Sequence, residues 1–128
     1  MNSASKPRIL YVEDQAIYRR IVIRCFEKEG IEIRTAVDGR IGIAVAQEWT
    51  PDLILMDLIL PEMDGFETAK MLRSDPRTST IPIVGYSTMP TEKMRSAVAQ
   101  AGMDAFFSKT APQRDLIAFV QERLKMAA

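Results

Sequence analysis

Five short apolar runs divide the chain, and each is followed by a stretch whose apolar residues recur at helical spacing. RILYVED (8–14), IEIRTAV (31–37), DLILMD (52–57), IPIVGYS (81–87) and DAFFSK (104–109) read as strands. After the first, Ile17, Ile21, Val22, Cys25 and Phe26 mark out an inward helical stripe that Gly30 stops. Asp38-Gly39 is a turn signal. Ile41, Ala44, Val45, Gln47 and Glu48 suggest a second amphipathic helix, ended by Pro51. A third helix is expected around Phe66 to Arg73, and a fourth opened by Pro90 and Thr91 and stopped by Gly102. A fifth is expected from Pro112 to Met126, with Leu116, Phe119, Val120 and Leu124 inward.

An alternation of strand and helix repeated five times predicts an α/β fold, a doubly wound five-stranded parallel sheet with helices on both faces and right-handed crossovers. The unbroken apolar runs of the first, third and fourth strands suit the sheet centre, and the alternating second strand suits an edge. The strand order 2-1-3-4-5 satisfies both. In such sheets function gathers in the crevice outside the carboxyl ends of strands one and three, where the order reverses.

The 128 residues fit one domain over 1–128, with its core from about 8 to 125. Lys plus Arg and Asp plus Glu both number 17, so bulk charge favours neither nucleic acid nor a membrane surface. No apolar run reaches transmembrane length, the start MNSASKPR lacks a signal-peptide core, and the single Cys25 allows no internal disulfide. A cytoplasmic location is therefore expected. Histidine is absent, which excludes a Ser-His or Cys-His catalytic pair, a His metal ligand and a phosphohistidine carrier. Cys25 reads as core, and Arg19, Arg20 and Arg24 as a solvated helix face.

The carboxyl ends of the strands carry Glu13 and Asp14, then Asp57, then Ser87, then Lys109. Three carboxylates in one crevice repel one another unless a cation joins them. A hard, oxygen-seeking ion such as Mg²⁺ suits so few protein ligands, since it keeps several waters. Asp57, between the acidic pair and the Ser87/Lys109 pair, is placed to act as a nucleophile toward a phosphoryl group. Lys109 and Ser87 would then hold the product phosphate by charge and hydrogen bond. Asp14 is also placed to cap the first helix.

VED (12–14), DLILMDLILPEMDGFE (52–67), IPIVGYST (81–88) and DAFFSK (104–109) together resemble the receiver domain of two-component response regulators, a flavodoxin-like fold. The resemblance runs from Arg8 to about Leu124 and is nearest to the stand-alone chemotaxis type. It implies a phosphorylation switch with Asp57 as phosphoacceptor, Glu13 and Asp14 as the acidic pair for Mg²⁺, and a further ligand in the Ile59 carbonyl. Ser87 would be the switch hydroxyl, Lys109 the partner of the phosphate and Phe106 the aromatic switch. A histidine kinase or a histidine phosphotransfer protein would supply the phosphate, and the face of the fourth helix, fifth strand and fifth helix would carry the signal.

Three departures from the family pattern, at four positions, stand out. Thr110 follows Lys109 where the family usually has a cis proline. A cis bond before threonine costs roughly 2.5–4 kcal/mol, so a trans or a strained cis peptide is expected. Phe106 stands where tyrosine is commoner, so the ring carries no hydroxyl. Ile59 and Met89, on the path of hydrolytic water, are apolar and predict a long-lived aspartyl phosphate.

Other chemistries on related sheets fit less well. An aspartate-nucleophile phosphatase would want a second acid two residues after Asp57, where Ile59 stands. A flavodoxin-type flavin carrier would want a Ser/Thr/Gly loop after the first strand, and VEDQAIYR is acidic there. No GxxxxGK[ST] motif occurs. A receiver-like interaction module that works without phosphorylation is the remaining alternative.

Overall fold

Helices cover both faces of the central strands, which is why those strands can be apolar along their whole length. The computed structural model describes residues 6–88 and 92–127. Its strands are β1 (Arg8–Val12), β2 (Glu32–Ala36), β3 (Leu53–Asp57), β4 (Ile83–Ser87) and β5 (Ala105–Ser108). All pair in parallel, in the order β2-β1-β3-β4-β5. The helices are α1 (Ala16–Glu27), α2 (Gly39–Trp49), α3 (Gly65–Arg73), α4 (Glu92–Gln100) and α5 (Gln113–Ala127). This is the expected doubly wound α/β architecture, and every residue of β3 and β4 is buried.

Alternation along the strands sends side chains into two cores. Leu10, Val12, Ile54, Met56 and Ile83 meet residues of α2, α3 and α4, with Phe66, Met94 and Phe106 packed at the margin. Ile9, Tyr11, Leu53, Leu55, Val84 and Tyr86 meet Val22 and Phe26 of α1 and Leu116 and Val120 of α5, with Phe119 and Leu124 partly buried.

The strands end earlier than the apolar runs suggested, so Glu13, Asp14 and Lys109 lie just past β1 and β5. The expected opening of the fourth helix at Pro90 and Thr91 falls outside the described residues.

Two helices bury a different stripe from the expected one. In α1, Val22 and Phe26 are buried, whereas Ile17 and Ile21 are 57% and 38% exposed. At about 100° per residue, Ile21 and Ile17 sit roughly 100° and 140° round the helix from Val22, too far to share its face. In α2 the buried stripe is Gly39, Gly42, Ala46 and Trp49, and Ile41 is exposed. A Cβ on Gly42 would press into the Val12 side chain, and one on Gly39 into the Thr68 hydroxyl. The α2 backbone therefore lies nearly against β1 and α3, and bulkier residues are turned outward.

Local chemistry sets the helix starts. Asp38 and Asp64 cap α2 and α3, accepting from Ile41 N and Glu67 N at 2.9 Å. The Asp38-Gly39 turn signal is thus the α2 cap. At the far end of the sheet, Arg73 donates to the carbonyls of Gly102, Ser79 and Ile81 and to the Asp104 carboxylate, tying α3 to the loops beside β4 and β5.

Gly65 shapes the loop that follows Asp57. Its N–H donates to Leu58 O at 3.0 Å, and a Cβ there would collide with the Asp57 carbonyl oxygen. Because the obstructing atoms are backbone, they cannot turn aside. Gly65→Ala is expected to lower stability by about 1–3 kcal/mol, read as a fall in the urea midpoint at unchanged m-value.

Candidate functional site

Four strand ends deliver the polar residues of the crevice. Glu13 follows β1, and its N–H continues the ladder to Ala36 O at 2.9 Å. Asp57 closes β3 and Ser87 closes β4; both are buried, at 4% and 2% exposure. Lys109 follows β5, held by its own N–H donating to Ser87 O at 2.8 Å. Carboxylate oxygens of Glu13, Asp14 and Asp57 lie within 4.8 Å of one another.

Lys109 crosses the crevice to this group. Its Nζ lies 2.6 Å from Glu13 Oε1 and 3.6 Å from Asp57 Oδ2, with its side chain 4% exposed. Tyr11, two residues before Glu13 and so on the same side of the strand, donates its hydroxyl to the same Oε1 at 2.7 Å. Gln15 N reaches Oε2 at 3.2 Å, and Arg19 Nη1 donates to the Glu13 carbonyl at 2.9 Å. Glu13 is thus fixed from several directions. Gln15, not Asp14, is the N-cap of α1 and makes no side-chain cap bond; Asp14 is exposed toward solvent. Arg19, expected on a solvated face, is instead half-buried against β1.

Burial pushes the Asp57 carboxyl up to about 7, and the neighbouring Glu13 carboxylate pushes the same way. Lys109 and a backbone hydrogen bond from Ile59 pull in the opposite direction without overcoming them. The Tyr11 hydroxyl is pushed above its usual value, chiefly by burial and then by Glu13, so it remains a donor.

The other expected residues are placed as follows. Phe106 is half-buried and pairs in register with Gly85, where a Cβ would meet the Phe106 ring, Leu58 and Met103. The Ile59 side chain is 68% exposed at the mouth of the crevice. Met89 lies outside the described residues. The peptide between Lys109 and Thr110 is trans. Thr110 folds back instead, its N–H reaching Ser108 Oγ at 3.1 Å and its hydroxyl the same atom at 2.7 Å.

The donor set fits a hard divalent cation. It consists of oxygens, three of them carboxylate, drawn together against their mutual repulsion and open to solvent through Asp14.

The chain matches the response regulator receiver domain model over residues 9–121. It belongs to that family. The Synechocystis transcriptional regulator RpaA is 33% identical over 119 residues, covering 93% of this chain and 49% of RpaA. Protein PilH of Pseudomonas aeruginosa is 29% identical over 110 residues, covering 86% of this chain and 91% of PilH. Among solved structures, the chemotaxis protein CheY4 of Vibrio cholerae superposes with a TM-score of 0.88 at 27% identity, over 92% of this chain and 98% of CheY4. The chain thus spans about half the length of RpaA and most of PilH and CheY4. Receiver domains are signalling domains, not enzymes, and they interact with histidine kinases or phosphotransfer proteins. Among the described residues no helix is long and apolar enough to cross a membrane.

Sequence reasoning missed two neighbours of this receiver's crevice. Tyr11 was legible from its two-residue spacing to Glu13. Tyr18, four residues after Asp14, gave no signal, because its partner Lys109 is remote in sequence.

The raised Asp57 carboxyl makes stability depend on pH. Between about 4 and about 7 the folded state binds a proton that the unfolded chain has released, so stability falls as pH rises through that window. Asp57→Asn removes the charge. In chelator, the variant is expected to exceed wild type by about 1–3 kcal/mol near pH 8, with the gap closing toward pH 4 and narrowing when Mg²⁺ is added. Urea unfolding at both pH values measures it, and a gap independent of pH contradicts it.

Proposed function

We propose that the protein is a phosphorylation-activated switch in which Asp57 accepts a phosphoryl group from a histidine kinase or histidine phosphotransfer protein. One observation carries this reading. Glu13, Asp14 and Asp57 gather their carboxylates within 4.8 Å, and Lys109 approaches two of them.

In the proposed reaction an Asp57 oxygen bonds to phosphorus as the bond to the donor's imidazole nitrogen breaks, leaving an aspartyl phosphate and a free imidazole. Glu13, Asp14, Asp57 and the Ile59 carbonyl would hold Mg²⁺, which when bound supplies positive charge to the phosphoryl oxygens. Lys109 shifts from Glu13 toward the new phosphate, and the Ser87 hydroxyl donates to it. Phe106, whose ring already lies against Gly85 together with Leu58 and Met103, then shifts inward as those flexible side chains give way. The surface of α4, β5 and α5 would re-form and carry the signal, a shift between two populated states.

The donor would dock beside the crevice. Ile17, Ile21, Ile41 and Ile59 are exposed on α1, at the start of α2 and after β3. A shallow depression lined by Ile17, Arg20, Ile21, Arg24 and Cys25 adjoins the first two. No direct contact with nucleic acid or membrane is proposed for this chain, whose 17 basic and 17 acidic residues balance. Action in the cytoplasm fits that partner set.

Incubation with acetyl phosphate and Mg²⁺, followed by phosphate-affinity electrophoresis, is expected to retard wild type and leave Asp57→Asn unretarded. Retardation that survives the substitution, or none in wild type, overturns the reading; the latter points to an interaction module that works without phosphorylation.

The aspartyl phosphate is expected to be long-lived, because the Ile59 side chain offers an attacking water no hydrogen bond. Decay followed after desalting is expected to take minutes or longer and to accelerate in Ile59→Asn. A half-life of seconds in wild type contradicts this.

A further inference from the structure

We propose that Tyr18 is a positioning residue for Lys109, its ring holding the ammonium against the two carboxylates through a cation–π contact. The proposal rests on the reading of Lys109 as the group that receives the phosphate.

Lys109 leaves the end of β5 beside a crevice open to water, yet its side chain is 4% exposed. Tyr18, half-buried in the first turn of α1, accounts for this: Lys109 Nζ lies 4.0 Å from its ring centroid. The Tyr86 ring stands 5.7 Å from the same nitrogen, and the Tyr11 and Tyr86 centroids are 6.0 Å apart. The ammonium therefore has two aromatic rings and the carboxylates of Glu13 and Asp57 as its neighbours.

An ammonium has three donors and no acceptor. One is used on Glu13 Oε1 at 2.6 Å, and Asp57 Oδ2 at 3.6 Å is within ion-pair range but beyond a good hydrogen bond. The Tyr18 ring, 4.0 Å away, takes up part of the surroundings of Nζ that water would otherwise fill. A ring face attracts a cation without fixing a hydrogen-bond direction. It can therefore hold the ammonium dehydrated while Nζ moves the short distance from Glu13 to a phosphate on Asp57. An aliphatic cover of similar size would exclude water but supply no such attraction.

The contact joins α1 to the crevice. A protein docking on Ile17 and Ile21 would lie beside Tyr18, so donor binding and the placement of Lys109 would act on the same turn of helix.

The test compares wild type with Tyr18→Phe, Tyr18→Leu and a series carrying increasingly fluorinated phenylalanine at position 18. The first readout is the ¹H–¹⁵N signal of the Lys109 ammonium in unphosphorylated, metal-free protein. It is expected to be slowly exchanging and ring-current shifted in wild type and Tyr18→Phe, and lost in Tyr18→Leu. The second is the rate of phosphorylation by acetyl phosphate at fixed Mg²⁺. Tyr18→Phe is expected within about twofold of wild type and Tyr18→Leu about tenfold slower, with the rate falling steadily along the fluorinated series. An ammonium signal unchanged in Tyr18→Leu, or a rate flat along the series, overturns the proposal. If Tyr18→Leu does not fold, the nearly isosteric fluorinated series decides alone. If wild type takes up no phosphate, the functional reading fails, and the ammonium signal by itself decides the role of Tyr18.

Discussion

The site depends on one buried ion pair, Lys109 with Glu13, set against a second carboxylate that it only partly neutralises. Three acids within 4.8 Å would drive the strand ends apart if all were ionised and unpaired. Lys109 compensates Glu13, Tyr11 adds a neutral hydrogen bond to the same oxygen, and Asp57 is left with a carboxyl that resists ionisation. A buried pair of this kind adds little net stability, because desolvation offsets much of the attraction. What it leaves is a crevice of carboxylate oxygens, open to solvent through Asp14, whose chemistry suits a hard cation.

Close backbone approach fixes one side of that arrangement. Gly39, Gly42 and Gly65 let α2 and α3 lie against β1, β3 and each other, so Asp57 and the loop after it have little freedom. The Lys109 side is built differently. The chain past β5 is held by Ser108 and Thr110 exchanging hydrogen bonds, and Phe106 faces a glycine in the neighbouring strand. Asp57 is thus backed by close-packed backbone, whereas Lys109 and Phe106 are surrounded by side chains.

The aromatic groups around Lys109 bear on how the two sides communicate. Tyr18 belongs to α1, Tyr86 immediately precedes Ser87, and Tyr11 holds Glu13. Lys109 is thus in contact with the helix that carries the exposed isoleucines and with the end of β4. These contacts bridge long stretches of sequence, as does the Arg73 clamp on Gly102 and Asp104.

The order of elements, the parallel sheet and the convergence of Glu13, Asp14, Asp57, Ser87 and Lys109 were legible in the sequence. Each follows from local periodicity combined with the geometry of a doubly wound sheet, in which strand ends share one crevice. The facing of α1 and α2 was not legible. Apolar residues surround much of each helix, and which stripe is buried depends on how nearly the backbone approaches the sheet; Gly39 and Gly42 set that distance, leaving Ile41 exposed. Nor could the sequence show that Lys109 would choose Glu13 over Asp57, that Tyr18 would cover it, or that Arg19 would turn back to the Glu13 carbonyl. Sequence by itself determined which groups meet. Tertiary structure decided which of them pair, because pairing among buried charges turns on differences of an ångström and on which groups water can still reach.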